Sequence, residues 1–340
     1  MGYKPTKPLR ILYAIQGTGN GHVARALEIV PILQEFGDLK ILLSGDQSQV
    51  ELPFKVDYRS RGLTFIYNKK GGLSYSKTIL KNNLLRIFNE IKAFPIHDFD
   101  LIINDFEFIT AWACKLKGKP CFALGHQAAF RSKRVPRPKW PSLIGEGILR
   151  HYAPCSQGIG FHFKPYDRHI FEPVIRKEIR ELSVSHESNH FTVYLPAYGD
   201  EYLNEILSKI PQTNWEVFSK QTKRERQMGH VHFKPISSLG FAKSMSSGKG
   251  LLSSAGFESP AEALFLGKKL CVVPIKGQYE QYCNAAALAE MNQLVIWKLD
   301  KNSIEILQKW VNDPMPNRIY FPNKTRELLS EHIFGNLNLE

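Results

Sequence analysis

The stretch that decides the fold reads Ser253-Ser-Ala-Gly256-Phe-Glu258-Ser259-Pro260-Ala-Glu262-Ala-Leu-Phe-Leu-Gly267-Lys-Lys-Leu-Cys-Val-Val273-Pro274-Ile-Lys-Gly-Gln-Tyr-Glu280-Gln281-Tyr-Cys-Asn284. An apolar run over 250–254 stops at Gly256, which lets the backbone come close to a ligand. Ser259 and Pro260 are residue types that open helices, so a helix is predicted over 259–266. A strand follows over 269–273 and a helix over 281–291. The N–H groups of the turn at Gly256 suit a diphosphate, because a helix N-terminus carries partial positive charge. Glu262 lies one turn into that helix, where a carboxylate can accept both hydroxyls of a ribose. Glu280 and Gln281 open the next helix and can hydrogen-bond sugar hydroxyls.

The same alternation extends outward in both directions. Strands are predicted over 9–15, 40–44, 63–67, 100–104, 120–124 and 158–163, and helices over 23–36, 76–94 and 108–116. A second series of strands follows over 191–195, 215–218 and 230–234, with a helix over 201–210 and terminal helices over 302–312 and 323–334. Short apolar runs separated by amphipathic runs predict parallel sheets covered on both faces. The fold class is therefore α/β, with two tandem Rossmann-like, doubly wound parallel-sheet domains facing a cleft. The boundaries are placed at 1–170 for the first domain, 171–185 for a linker and 186–318 for the second domain. Residues 319–340 are expected to form a C-terminal helix packing back on the first domain. Residues 130–154 are basic and proline-rich, and read as a long irregular loop.

A chain of 340 residues is long for one core and comfortable for two. It is 43% hydrophobic and 23% charged, an ordinary globular balance. No apolar run is long enough to span a bilayer and no signal peptide is evident, so a cytoplasmic protein is expected. The five cysteines form no Cys-x-x-Cys pair, which argues against a disulfide framework or a zinc site. The net charge of +13 is concentrated at Arg131 to Lys139 and again at Lys220 to Arg226. Neither cluster has the aromatic interleaving of an RNA-binding sheet. An anionic membrane surface or a phosphate-bearing substrate fits the charge better than nucleic acid.

Between the first strand and first helix stands Gly17-Thr18-Gly19-Asn20-Gly21-His22. Such a turn again suits an anion, and Asp46 near the end of the second strand keeps a dinucleotide site open on the turn alone. His22, at the mouth of the cleft, can take a proton from a hydroxyl near neutral pH. Asp105, just past the strand over 100–104, can orient it, as carboxylates do in other histidine systems. Glu107 is a rival for that role, and the alternative task for Asp105 is to cap the next helix.

The segment Gly256, Ser259, Glu262, Ala263, Pro274, Glu280, Gln281, Asn284 and Ala285 resembles the donor-site signature of GT-B glycosyltransferases. It is similar to the UDP-glycosyltransferase family and to the N-acetylglucosaminyltransferase that makes lipid II. Gly17-Thr-Gly-Asn-Gly-His22 with Arg25 resembles the acceptor-side loop of the same enzymes, closest to a prokaryotic branch of glycosyltransferases. The resemblance implies donor contacts at Gly199, Ile236, Gly256, Ser259, Glu262, Glu280, Gln281 and Asn284. It places Gly17, Gly19, Gly21, Arg25, His126 and Gln127 on the acceptor side. The sequence departs at Ala255, where relatives carry His, Gly or Ser, and at Ala197-Tyr198-Gly199-Asp200, which replaces a Gly-Gly-Ser type loop.

The implied activity is inverting, metal-independent transfer of a sugar from a nucleotide-diphosphate donor, UDP-linked, to a hydroxyl acceptor. No cofactor or metal is expected, with helix N-termini and basic side chains stabilising the leaving diphosphate. The acceptor is expected to be a saccharide or a lipid-linked compound of the cell envelope, met at the inner membrane face. Two other readings stay open. Asp105, Glu107 and Glu258 would serve a UDP-sugar 2-epimerase on the same architecture, and a non-enzymatic nucleotide- or nucleic-acid-binding module is the third.

Overall fold

The computed structural model describes residues 8–45, 52–63, 83–185 and 188–335. The strand predicted over 63–67, the first part of the helix predicted over 76–94, and Asp46 lie outside the described residues.

β1 (Leu9–Gln16) has Ile11, Leu12, Tyr13, Ala14 and Ile15 fully shielded from solvent. A strand buried on both faces needs neighbours on both edges and helices above and below. The first half supplies them as α1 (Asn20–Gln34), β2 (Gly37–Ser44), β3 (Tyr58–Ser60), α2 (Leu84–Ala93), β4 (Leu101–Asp105), α3 (Phe108–Leu116), β5 (Phe122–Gly125), α4 (His126–Ala129), α5 (Leu143–His151), β6 (Gln157–Phe161) and β7 (Ile170–Phe171). The sheet order is β3-β2-β1-β4-β5-β6-β7, all parallel. The second half comprises α6 (Lys177–Arg180), β8 (His190–Tyr194), α7 (Asp200–Leu207), β9 (Asn214–Ser219), β10 (Arg226–Met228), β11 (Val231–Pro235), α8 (Ser238–Ser247), β12 (Gly250–Ser254), α9 (Glu258–Phe265), β13 (Lys269–Val273), α10 (Tyr279–Glu290), β14 (Leu294–Val295), α11 (Ser303–Asn312) and α12 (Thr325–Leu329). Its sheet order is β10-β11-β9-β8-β12-β13-β14, parallel except for the β10–β11 pair.

Each sheet winds outward in two directions, from β1 and β4 in the first and from β8 and β12 in the second. The crevice at such a reversal, beyond the carboxyl ends of the strands, is where open α/β sheets bind ligands. The segments at that edge carry His22, Asp105 and Gly256. Apolar contact continues between the sheets, since Phe257 packs with Phe163, Val174 and Ile175 in one core cluster. After the second sheet the chain returns to α1, where Phe334 stacks on Phe36 at 3.9 Å and Arg326 pairs with Glu35 at 2.7 Å.

Two expectations are corrected. The stretch 130–154 is not irregular throughout, because α5 forms within it, capped by Ser142 Oγ accepting from the Gly145 N–H at 3.1 Å. Its glycines and its exposed Leu143 and Ile144 hide the helix from periodicity. The segment read as a linker contributes Phe171 to the first sheet and buries Ile175 and Ile179. The serine-rich α8 is a further element without a clear sequence signal, since serine favours caps and turns over helix interiors.

Candidate functional site

α1 begins at Asn20 with Gly19 in extended conformation before it, so His22 falls in the first turn. Gly17, Gly19 and Gly21 do three different things. Gly17 is pinned to β2 by its N–H to the Ser44 carbonyl at 2.6 Å, and a Cβ there would meet Leu43 at 2.9 Å. Its smallness serves the sheet rather than a ligand, and it does not line the cleft. Gly19 is open, and a Cβ added there would find no atom within 4 Å. At Gly21 an added Cβ would come 3.3 Å from Glu258, so this glycine admits the second domain.

Asp105 ends β4 and is fully buried. His22 Nδ1 lies 2.8 Å from its Oδ1, and Arg25 Nη2 donates to its two oxygens at 2.8 and 2.9 Å. Tyr13 adds a longer hydroxyl contact at 3.4 Å. Burial alone would raise the Asp105 pKa, but the charges and hydrogen bonds of Arg25 and His22 outweigh it and hold the carboxyl below its ordinary value. The Asp105 carboxylate orients the ring through Nδ1 and turns Nε2 toward the cleft, where the Gln127 amide nitrogen lies 3.5 Å away. Phe106 follows with φ of 57°, a left-handed conformation uncommon for phenylalanine, and its ring lies parallel to that of His22 at 6.4 Å. The rival, Glu107, is spoken for: its carboxylate accepts from Ile109 N and Thr110 N at 2.8 and 2.7 Å and caps α3. The cap and the orienting carboxylate are thus separate residues.

Arg25 also reaches Glu258 at the start of α9, tying the two sheets together. Arg25 is shared, and Asp105 takes most of it. Desolvation therefore dominates at Glu258, opposed by Arg25 and reinforced by Glu262 and Asp105, and its pKa is pushed up to about 7. Glu258, Ser259, Glu262, Gly256 and Ile236 line the cleft together with His22, Arg25, His126, Gln127, Glu280 and Gln281, around a volume of about 440 Å³. Gly256 has open space on its side-chain side.

Several residues are placed differently from the sequence expectation. Asn284 is buried and faces no cleft; its amide donates to the Ala255 carbonyl at 3.1 Å and its Oδ1 lies 2.8 Å from His126 Nε2. It braces the α10 helix against the first domain, with the His126 ring stacked on Phe257 at 3.9 Å. Gln281 folds onto its own loop, accepting from Ile275 N at 2.9 Å. Gly199 precedes α7 and lies beside Gln221, outside the cleft lining. Glu262 is not free: Arg176 grips it with Nε to Oε1 at 2.7 Å and Nη2 to Oε2 at 3.1 Å. Arg176 sits in the stretch read as a linker, and nothing in its neighbours marks it. Gln127 donates to Glu280 at 3.0 Å, a further polar link between the domains.

The chain contains one Asp-x-Asp triplet, Asp98-Phe99-Asp100, which lies ahead of β4 at the amino end of the sheet. Asp100 is bound there by Arg10 N at 2.9 Å, on the opposite end of β4 from Asp105. Among the described residues no group of three His, Cys, Asp or Glu side chains could hold a metal ion.

A family model described as glycosyl transferase family 1 matches residues 9–313. Among solved structures, the Arabidopsis thaliana protein UGT89C1 complexed with UDP superposes with a TM-score of 0.60 at 13% identity, covering 95% of this chain and 94% of that one. MurG of Acinetobacter baumannii superposes at 0.54 with 16% identity, covering 95% and 93%. The glycosyltransferase SnogD from Streptomyces nogalater gives 0.52 at 13% identity, covering 96% and 99%. At such identities the likeness is one of fold. No curated protein sequence matches the chain.

Proposed function

The chain belongs to glycosyl transferase family 1 and is a glycosyltransferase of the two-domain GT-B fold, and from that premise we propose that it transfers a sugar from a UDP-linked donor to a hydroxyl acceptor with inversion and without a metal. The observation that carries this reading is the meeting in one cleft of His22, oriented by buried Asp105, with the turn from Gly256 to Glu262. His22 Nε2 takes the proton of the acceptor hydroxyl. The oxygen then attacks the anomeric carbon from the face opposite the diphosphate, which leaves with the electron pair of the glycosidic bond. The start of α9 faces the diphosphate and Glu262, set by Arg176, receives the ribose hydroxyls. The UDP bound in the Arabidopsis relative supports the choice of base. An epimerase reading is less favoured, because Glu107 caps α3 and Asp105 and Glu258 are both engaged by Arg25.

A thermal-shift screen over UDP, dTDP, GDP, ADP and CDP tests the donor. Stabilisation by UDP above the others supports the proposal, and no shift with any of them overturns it. Retention or inversion is read from the anomeric coupling constant of the product by NMR, and metal independence from turnover in excess chelator.

We propose further that the acceptor is met at an anionic membrane surface. Trp140, Leu143 and Ile144 are 82%, 89% and 60% exposed, beside Arg131, Lys133, Arg134 and Lys139. Exposed apolar side chains among cations suit a surface of anionic headgroups. No helix of the described residues is long and apolar enough to cross a membrane. Cosedimentation with phosphatidylglycerol vesicles, and its loss in the Trp140→Ser, Leu143→Ser double variant, is the expected result; equal binding to phosphatidylcholine vesicles would remove the proposal.

A further inference from the structure

A departing diphosphate carries two to three negative charges, and the cleft is already rich in carboxylates. Glu258, Glu262 and Glu280 line it, and Asp105 lies just beneath. The guanidinium groups there are engaged. Arg25 is held by Asp105 and Glu258, and Arg176 by Glu262. His126 is engaged by the Phe161 carbonyl and by Asn284 Oδ1, each at 2.8 Å, and burial lowers its pKa. The first residue of α9 is itself acidic, which offsets the positive end of that helix. Lys220 is the one lysine or arginine lining the cleft that, among the described residues, has no carboxylate partner.

Lys220 does not hang on a slack loop. It follows β9, two residues past Phe218, which lines the same cleft. The residues on either side are tied to Asp200, which is 5% exposed at the start of α7. Ser219 donates its hydroxyl to Asp200 Oδ1, Thr222 donates to Oδ2 at 2.7 Å, and Arg226 donates to Oδ2 at 3.2 Å. Gln221 N donates to Ser219 Oγ at 3.1 Å, and Gln221 Oε1 accepts from the Asp200 N–H at 3.4 Å. A buried carboxylate therefore fixes the backbone on both sides of an unpaired lysine at the cleft mouth.

We infer that Lys220 binds the diphosphate of the donor and stays with it as the leaving group, with Asp200 as the residue that positions it. The inference rests on the nucleotide-donor reading above and adds the cation that the reading lacks. An ammonium is a compact charge suited to phosphate oxygens. It also supplies, on the second domain, what the departure at Ala255 removes.

The test is calorimetric binding of UDP and of uridine to the full chain and its variants. Lys220 is exposed, so Lys220→Ala is expected to fold with an unchanged melting temperature. It should bind UDP about tenfold more weakly, the scale of one charge-assisted hydrogen bond, and uridine as well as the unsubstituted chain does. Lys220→Arg should keep most of the UDP affinity, and the salt dependence of UDP binding should flatten in Lys220→Ala. Asp200→Asn should weaken UDP binding when Lys220 is present and add nothing in the Lys220→Ala background. If the unsubstituted chain binds UDP and Lys220→Ala binds it equally, this inference falls while the donor reading stands. If the unsubstituted chain binds neither UDP nor uridine, the donor reading falls and takes this one with it. If Asp200→Asn weakens UDP equally in both backgrounds, its assigned role is wrong.

Discussion

Arg25 of the first domain and Glu258 of the second form an ion pair across 233 residues of chain, with the same guanidinium forked onto Asp105. One side chain thereby fixes the orientation of the proposed base and the approach of the donor turn to it.

Replacing Arg25 by Met leaves the buried Asp105 and the partly buried Glu258 without their guanidinium partner. The expected loss is about 3–5 kcal/mol of unfolding free energy, measured by urea titration. Arg25→Lys should not restore it, since one ammonium cannot fork onto Asp105 and reach Glu258 together. An unchanged midpoint for Arg25→Met would show that the pair contributes nothing.

Stability should depend on pH through Glu258. Its folded pKa of about 7 lies above the ordinary 4.5, so the native state holds the proton more tightly. The contribution is fully present below about 4.5 and is lost as pH rises through about 7, at no more than ~1.4 kcal/mol per pH unit for one proton. The Asp105 carboxyl, held low, acts in the opposite sense and loses its contribution only as pH falls below the ordinary carboxylate range. Glu258→Gln should remove the fall in stability between about pH 5 and 7. A variant whose pH profile parallels that of the unsubstituted chain contradicts this assignment.

His22→Ala should lower turnover by about 10²–10⁴-fold while UDP affinity is unchanged, as for loss of a general base. The readout is UDP release from a UDP-sugar in the presence of acceptor. Retention of activity would move the base elsewhere.

Gly145 packs on the ring of Tyr279, where an added Cβ would collide with Cγ. Gly145→Ala must push α5 off α10, an overpacking change costing about 1–3 kcal/mol. It should also disturb the Tyr279 hydroxyl that donates to Glu146 at 2.7 Å. A melting temperature equal to that of the unsubstituted chain would mean that α5 yields freely.

Removing Arg176 alone should be worse than removing it with its partner. Arg176→Ala leaves Glu262 buried and unpaired, whereas Arg176→Ala with Glu262→Ala removes both charges. The single variant is expected to be less stable than the double by about 2 kcal/mol or more. Glu262→Ala should weaken UDP binding, and additive stability losses would argue against the pairing.

Much of the architecture is legible because it is written in local patterns. The runs at 250–254 and 269–273 form β12 and β13 with the same bounds, and the helix predicted over 108–116 is α3. Apolar periodicity reports which face is buried, and that suffices for elements with one or two buried faces. It fails at α5, whose outward face carries Leu143 and Ile144, and at α8, whose serines give no apolar stripe. At the site, the sequence puts His22 and Asp105 at the mouths of neighbouring strands but leaves Glu107 as a rival. The packing of α3 decides between them, by drawing the Glu107 carboxylate onto its own first turn.

The sequence by itself determined the two wound sheets, the turn at Gly256 and the position of Glu262 one turn beyond it, because strand period, helix period and the allowed backbone angles of glycine act over a few residues. The tertiary structure alone decided that Arg176 grips Glu262, that Asn284 braces His126 rather than facing the cleft, and that Arg25 joins Asp105 to Glu258. Those partners are 86, 158 and 233 residues apart, and no local rule relates them. They meet because burying a charge or an amide is costly until a complementary group is found, and only the packed arrangement of both domains determines which group that is.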